Sequence, residues 1–292
     1  MKSISLTCLL LFFQAWSSPC QTSWQKVVDV NPTQRIYIAG FGDAAHGITG
    51  GYFGATYDTV DGGKTWTKAK NYSLCRWGLD IVSDTIAFTC GSGGDNRKTA
   101  DGGQAWTEMA DFGPDQPPDQ CRFISFVDAK TGWVAAPAVM ARTSDAGATW
   151  TQVKLPDGMD KVAALDLLGD TQLTALVLGA DGKIYKSVDN GATWSSRPVS
   201  VADHQITFDP GSAPVNALRF QNAREGTAIA YETSPRQAWV ALQTTNGGDS
   251  WVVESVTGEM DPQSAVYLSG DGRYVTLYSS HRVVVFERRA GG

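Results

Sequence analysis

The chain has 292 residues, 42% of them hydrophobic and only 18% charged, with 31 Gly and 10 Trp. This composition excludes global disorder and a collagen-like repeat. A formal net charge of −6 argues against a strongly basic face for nucleic acid or anionic lipid, and 3 His with 12 Pro argue against a His-rich metal protein or proline-rich linkers.

Residues 1–20 combine Lys2, an apolar run from Leu6 to Trp16 and the small pair Ser17-Ser18, the pattern of a secretory signal peptide. The run is short for a membrane-spanning helix, and no other segment is long and apolar enough to span. Pro19 before Cys20 fits a lipoprotein cleavage site poorly. The expectation is a secreted chain, periplasmic in a Gram-negative cell, with one domain over residues 21–292.

The next segments, Lys26–Val30 and Arg35–Gly40, read as strands. They are expected to open the first structural unit as its strands a and b. The competing reading has the strand from Ser23-Trp24 complete the last unit. Cys75 and Cys90 then flank a hairpin that turns near Ser83-Asp84, and their equal distance from the turn predicts a cross-strand disulfide. The alternative is two free thiols.

Downstream, apolar runs recur in pairs. They are Cys121–Val127 with Trp133–Ala136, Val162–Leu168 with Gln172–Leu178, and Val215–Phe220 with Thr227–Tyr231. The last unit has Ala265–Leu268, Arg273–Tyr278 and Arg282–Phe286. Between them stand five copies of one octapeptide: Thr59–Trp66, Thr99–Trp106, Thr143–Trp150, Ser187–Trp194 and Thr244–Trp251. Their Trp residues are spaced 40, 44, 44 and 57 apart, so internal repetition organises the chain. In each copy Asp61, Asp101, Asp145, Asp189 or Asn246 can accept backbone N–H bonds within a tight turn. The Gly two residues on tolerates positive φ, and the Trp anchors the following strand by burying a large ring. These acidic residues are therefore read as structural.

The motif Ser/Thr-x-Asp/Asn-x-Gly-x-x-Trp resembles the Asp-box, or BNR repeat, of sialidases, sortilin-type receptors, xyloglucan-cleaving glycosidases and photosystem II assembly factors. The resemblance implies an all-β, six-bladed β-propeller of four-stranded antiparallel blades, with seven blades less favoured. It says little about function, because those families share the turn and not the chemistry. The stretch Phe126–Trp133 brings the rhythm nearest to the photosystem II assembly-factor type. That likeness implies a scaffold that binds protein, pigment or glycan without turning it over.

Meander topology puts the box turns and a–b turns on one face and the d–a and b–c loops on the other. The longer segments Asp43–Gly51, Cys90–Arg97, Asp111–Gln120, Val199–Pro214 and Thr233–Gln237 are expected on the second face, where function tends to sit. Arg76 and Arg122 each follow a Cys at the start of a strand a and could face one anionic ligand, with Trp77 beside the first. Arg97, Arg236 and Arg282 belong to b–c loops or their ends. The competing reading pairs each Arg with a loop acid such as Asp95, Asp119 or Glu232. His46, His204 and His281 also fall on this face in the preferred closure, but none has metal-ligand spacing, and unrelated surface histidines are the favoured reading.

A sialidase would need an Arg-Ile-Pro motif and a Tyr–Glu nucleophile pair. Arg35-Ile36-Tyr37 lacks the Pro, and adjacent Tyr231 and Glu232 on a strand point to opposite faces. No carboxylate pair stands out for another glycosidase. The sequence therefore reads as a non-catalytic binding module for protein or acidic glycan, with no cofactor. The alternative is a carbohydrate-active enzyme, a sialidase-like hydrolase or a polysaccharide lyase, on the same face.

Overall fold

A computed structural model describes residues 23–30, 36–51, 56–69, 76–91, 94–112, 121–169, 173–208, 215–216, 218–235, 237–255, 265–279 and 282–289. Each octapeptide folds as its chemistry dictates. In the first, Thr59 Oγ1 donates to Asp61 Oδ1 at 2.9 Å and accepts Gly63 N at 2.9 Å, while Asp61 Oδ1 accepts Thr65 N at 2.9 Å. The same three bonds recur around Asp101, Asp145, Asp189 and Asn246. The fourth box residue takes a left-handed backbone in every copy, with φ of 72° at Gly62, 76° at Gly102, 60° at Ala146, 58° at Asn190 and 74° at Gly247. Hydroxyl bonds from Thr65, Thr149 and Thr193 hold the carboxyls of Asp61, Asp145 and Asp189 down at about 2. Several box Trp rings then pack edge-on against an aromatic: Trp66 on Phe41, Trp150 on Phe126, Trp194 on Trp133 and Trp251 on Phe220.

The described strands run in chain order from β1 (Ser23–Val30). Blade 1 holds β2 (Ile36–Phe41), β3 (Gly47–Gly51), β4 (Thr56–Thr59) and β5 (Thr67–Lys68). Blade 2 holds β6 (Arg76–Ile81), β7 (Ala87–Gly91), β8 (Arg97–Thr99) and β9 (Thr107–Glu108). Blade 3 holds β10 (Phe123–Phe126), β11 (Gly132–Ala136), β12 (Val139–Thr143) and β13 (Thr151–Val153). Blade 4 holds β14 (Val162–Gly169), β15 (Leu173–Gly179), β16 (Lys183–Ser187) and β17 (Ser195–Pro198).

In blade 5, β18 (Gln205–Thr207) and β20 (Leu218–Phe220) both pair β21 (Gly226–Ser234), which continues to β22 (Ala238–Thr244) and β23 (Val252–Ser255). Between them, β19 (Val215–Asn216) pairs in parallel with β24 (Ala265–Leu268) of blade 6. Blade 6 continues with β25 (Tyr274–Ser279) and β26 (Arg282–Arg289), and β1 is its outer strand. The protein is a six-bladed β-propeller, and its described residues contain no helix long enough to cross a membrane.

Two expectations are corrected. The N-terminal strand does not open blade 1: β1 pairs with β26 from Ser23↔Arg289 to Val30↔Val283, and Ile36–Phe41 is strand a. Local pattern could not separate the two readings, because both call the same residues strand and differ only in a partner more than 250 residues away. The disulfide joins Cys90 to Cys121, with Cα atoms 5.6 Å apart, and not Cys90 to Cys75. The β6–β7 register sets Cys90 opposite Gly78, and Cys75 lies outside the described residues. Gly78 has no side chain where a Cβ would sit 2.7 Å from the Cys90 sulfur, and the bond instead staples blade 2 to the chain just before blade 3.

The blades are tied together at the axis by one position of strand a. Gly40, Asp80, Ser125, Arg219 and Tyr267 are each the residue before the last apolar residue of their strand, and Asp166 holds the same register place in β14. Asp80 accepts Phe126 N at 2.6 Å, Ser125 accepts Leu167 N at 3.1 Å, and Asp166 accepts Phe220 N at 2.6 Å. Arg219 donates to Leu268 O at 3.3 Å, and Tyr267 Oη accepts Ile81 N at 3.1 Å. Each blade from 2 to 6 thus grips the next, and blade 1 is bypassed. A Cβ on Gly40 would lie 2.9 Å from the Tyr267 ring, so the glycine leaves the room through which Tyr267 reaches blade 2.

Arg219, 3% exposed, also donates to Ser125 and Asp166 and is ion-paired with Asp80. Burial opposes its charge, but the two carboxylates outweigh this and raise its pKa. Two buried acids share one guanidinium, and burial pushes Asp166 up to about 6 against the pull of Arg219.

Candidate functional site

The faces are fixed by the turns. Box residues Gly62, Gly102, Ala146 and Gly247 donate their N–H groups to Ala45, Thr85, Lys130 and Arg224 in the a–b turns of their own blades, at 2.7–3.0 Å. The loop-side candidate site is built from the opposite ends of the strands.

His46 does not belong there. It sits in the a–b turn of blade 1, beside the box, where its Nδ1 lies 2.8 Å from Asp43 Oδ2. The segment Asp43–Gly51 moves with it, because the corrected closure makes it an a–b turn plus strand b. His204 is on the loop face, with its Nδ1 against Glu232 Oε1, and Glu232 is fully buried beneath it. His281 lies outside the described residues, as do Arg236, Cys20, Cys75 and residues 1–20. The three-His arrangement therefore loses one member to the other face. No group of three or more metal-capable side chains occurs among the described residues.

Tyr231 and Glu232 point apart as alternation requires. Tyr231 stacks edge-on with Trp239 at 5.6 Å between blades 5 and 6, while Glu232 turns to the β18 arm. Arg97 is held by Asp95 at 2.9 Å, and Asp95 is 2% exposed. Arg282 forms a two-point pair with Asp29 on β1, at 3.0 and 2.8 Å. For both of these the ion-pair reading holds. Arg122 directly precedes β10, half-buried, with its backbone N–H on Ala135 O. Arg76 and Trp77 open β6, the matching place in blade 2, and their side chains lie outside the described residues. The backbone thus brings the starts of β6 and β10 to neighbouring blades, beside the Cys90–Cys121 bond.

The Arg219–Asp80–Asp166 layer was not anticipated. Its signal was present: Leu79-Asp80-Ile81, Leu165-Asp166-Leu167 and Leu218-Arg219-Phe220 each place one charge at the same phase of an apolar strand. A charge in that setting must find a buried partner. The layer is buried and ties blade to blade around the ring.

Comparison with known families gives a match over residues 75–282, more than half of the chain, to the family described as photosynthesis system II assembly factor YCF48. No curated protein matches the chain. Among solved structures, YCF48 bound to D1 peptide is similar at 15% identity and a TM-score of 0.54, covering 90% of this chain and 96% of that one. YCF48 from Cyanidioschyzon merolae is similar at 12% identity and 0.53, covering 91% and 98%. The GH74 enzyme of Niastella koreensis is similar at 15% identity and 0.55, but this chain spans only 44% of it. At these identities the structural likenesses show the propeller fold alone.

Proposed function

Because the chain belongs to the family of photosynthesis system II assembly factor YCF48, we propose that it is a non-catalytic propeller that binds another protein through its d–a and b–c loop face. The observation that carries this reading is the related propeller whose structure holds a D1 peptide. On this chain the contact would centre on Arg76, Trp77 and Arg122 at the starts of β6 and β10, next to the disulfide. Guanidinium groups there would engage carboxylates of the partner by two-point hydrogen bonds. Residues 1–20 support export, so the partner is to be sought outside the cytoplasm.

The test is affinity capture from the native exported fraction with the full chain and with Arg76→Ala/Arg122→Ala. The reading expects a protein recovered by the wild type and lost by the variant at unchanged thermal stability. Equal recovery by both would sink the assignment of the face. Recovery of an acidic glycan instead of a protein would replace the partner class. N-terminal sequencing of the mature chain checks export.

A further inference from the structure

Each box Trp carries one hydrogen-bond donor, its indole N–H, and the glycine three residues before it carries a carbonyl acceptor. In blades 2 and 3 this pair is satisfied, each time in a different way. Within box 2, Trp106 Nε1 donates to Gly103 O at 2.9 Å. At box 3 both groups grip the chain that leaves blade 2: Ala110 N donates to Gly147 O at 2.7 Å, and Ala110 O accepts Trp150 Nε1 at 2.9 Å. One residue of passing chain is thus held by both of its backbone groups.

Box 4 leaves the pair open. Lys154 is the counterpart of Ala110, because Thr107 pairs with Lys98 and Thr151 with Arg142, the residues directly before the box hydroxyls of blades 2 and 3. Yet among the described residues no backbone N–H outside the strands reaches Gly191 O, and Trp194 Nε1 is buried without a partner. The chain leaving blade 3 takes another path. Where blade 2 sets Phe112 edge-on to Trp150 at 6.2 Å, blade 3 has Pro156, which starts a turn closed by Met159 N on Pro156 O at 3.1 Å. Between that chain and box 4 lies a groove of about 300 Å³, lined by Leu155, Pro156, Tyr185, Gly191 and Trp194 among others. This is the low end for ligand pockets, about 300–1,000 Å³, and suits a short stretch of chain. Trp251 in box 5 also has an unpaired Nε1, but it is 5% exposed, whereas Trp194 is half-buried and borders the groove. A buried donor left unpaired is costly, and a guest carbonyl would remove that cost.

We propose that this groove binds a short extended segment of a partner protein, laid between Leu155-Pro156 and box 4. A small residue of the segment, Ala, Gly or Ser, would donate its N–H to Gly191 O and offer its carbonyl to Trp194 Nε1, as Ala110 does at box 3. Its neighbours would lie against the Trp194 and Tyr185 rings. Lys154 and Asp157 at the rim are paired with each other at 2.7 Å, so the segment recognised is uncharged at this point. The groove is at the box end of blades 3 and 4 and does not depend on Arg76 or Arg122.

The probe is the capped peptide Thr107–Phe112 of this chain, which carries Ala110, titrated into the full chain. Calorimetry reads the affinity, and NMR follows the indole N–H signals, with that of Trp194 assigned by its loss in Trp194→Phe. Saturable binding with a shift of the Trp194 signal is expected. Trp194→Phe, checked for folding by thermal melting, should weaken binding about tenfold, the value of one hydrogen bond to a buried donor. A peptide methylated on the Ala110 nitrogen tests the Gly191 bond without altering the protein, and it should bind at least about tenfold more weakly. Arg122→Ala should leave binding intact. No binding at millimolar peptide overturns the proposal, as does equal binding by Trp194→Phe or by the methylated peptide. A shift at Trp150 in place of Trp194 also overturns it, because the peptide would then be exchanging with the chain's own Ala110.

Discussion

Replacing Arg219 by Met tests the axial layer most directly. The guanidinium is 3% exposed and makes polar contacts with Leu268 O, Ser125, Asp166 and Asp80. Met keeps much of the volume and none of the charge, so Asp80 and Asp166, 2% and 1% exposed, are left buried without their cation. Removing one partner of a buried ion pair costs about 3–5 kcal/mol. For a chain of this size that lowers the melting temperature by roughly 6–20 °C.

The triple variant Arg219→Met/Asp80→Asn/Asp166→Asn removes the stranded charges. Each Asn can still accept the N–H of Phe126 or Phe220 through its amide oxygen. It should recover at least half of the loss in urea titrations followed by near-UV circular dichroism. The reasoning fails if Arg219→Met costs less than about 1 kcal/mol, or if the triple variant is no more stable than the single one.

Three further outcomes are expected. Asp166 has a folded pKa of about 6, above its unfolded 3.8, so its contribution is full below 3.8 and is lost as pH rises through 6, up to about 3 kcal/mol. The box carboxyls near 2 work the other way, losing their contribution only as pH falls below 3.8. Stability measured by urea titration across pH 3–8 should therefore peak near about pH 4–5. Asp145→Ala strips the acceptor from Thr149 N and Thr143 Oγ1 and should lower the urea midpoint, as loss of a helix cap does. Asp145→Asn should lower it less than half as far, because Asn246 already makes the same bonds in the fifth box. Reducing Cys90–Cys121, which are 31 residues apart, should cost about 3–4 kcal/mol by loop entropy, read as the melting shift with and without dithiothreitol.

The fold was legible because its strongest signal is local. A box is eight consecutive residues whose Thr, Asp, Gly and Trp each do one job within the turn, so five copies announce five blades. What was misread is long-range. Lys26–Val30 and Ile36–Phe41 look alike as strands, and only the pairing of Trp24 with Arg288 decides the closure. The cysteine pairing failed for a related reason: symmetry about a turn assumed that Cys90 faces its own hairpin, whereas it faces the next blade. The site was less legible still. Ion pairing of Arg97 and Arg282 was foreseen as an alternative, but nothing in one sequence distinguishes an arginine held by Asp95 from one kept for a ligand. The axial charges went unread because the strands that contain them were identified for their apolar residues.

The sixth blade also sets an order of events. Asp29 on β1 and Arg282 on β26 are 253 residues apart, and β1 covers the outer edge of β26 in that sheet. While the chain is being made, β1 is therefore an unpaired strand that waits for its partner until the other blades exist. An open strand edge invites the wrong neighbour. Lys26 and Asp29 put charge on that edge for the interval, and Asp29 then becomes half of the clasp that Arg282 closes. The ring is therefore completed by its first and last strands together, and its slowest step should be that late meeting and not the folding of any single blade.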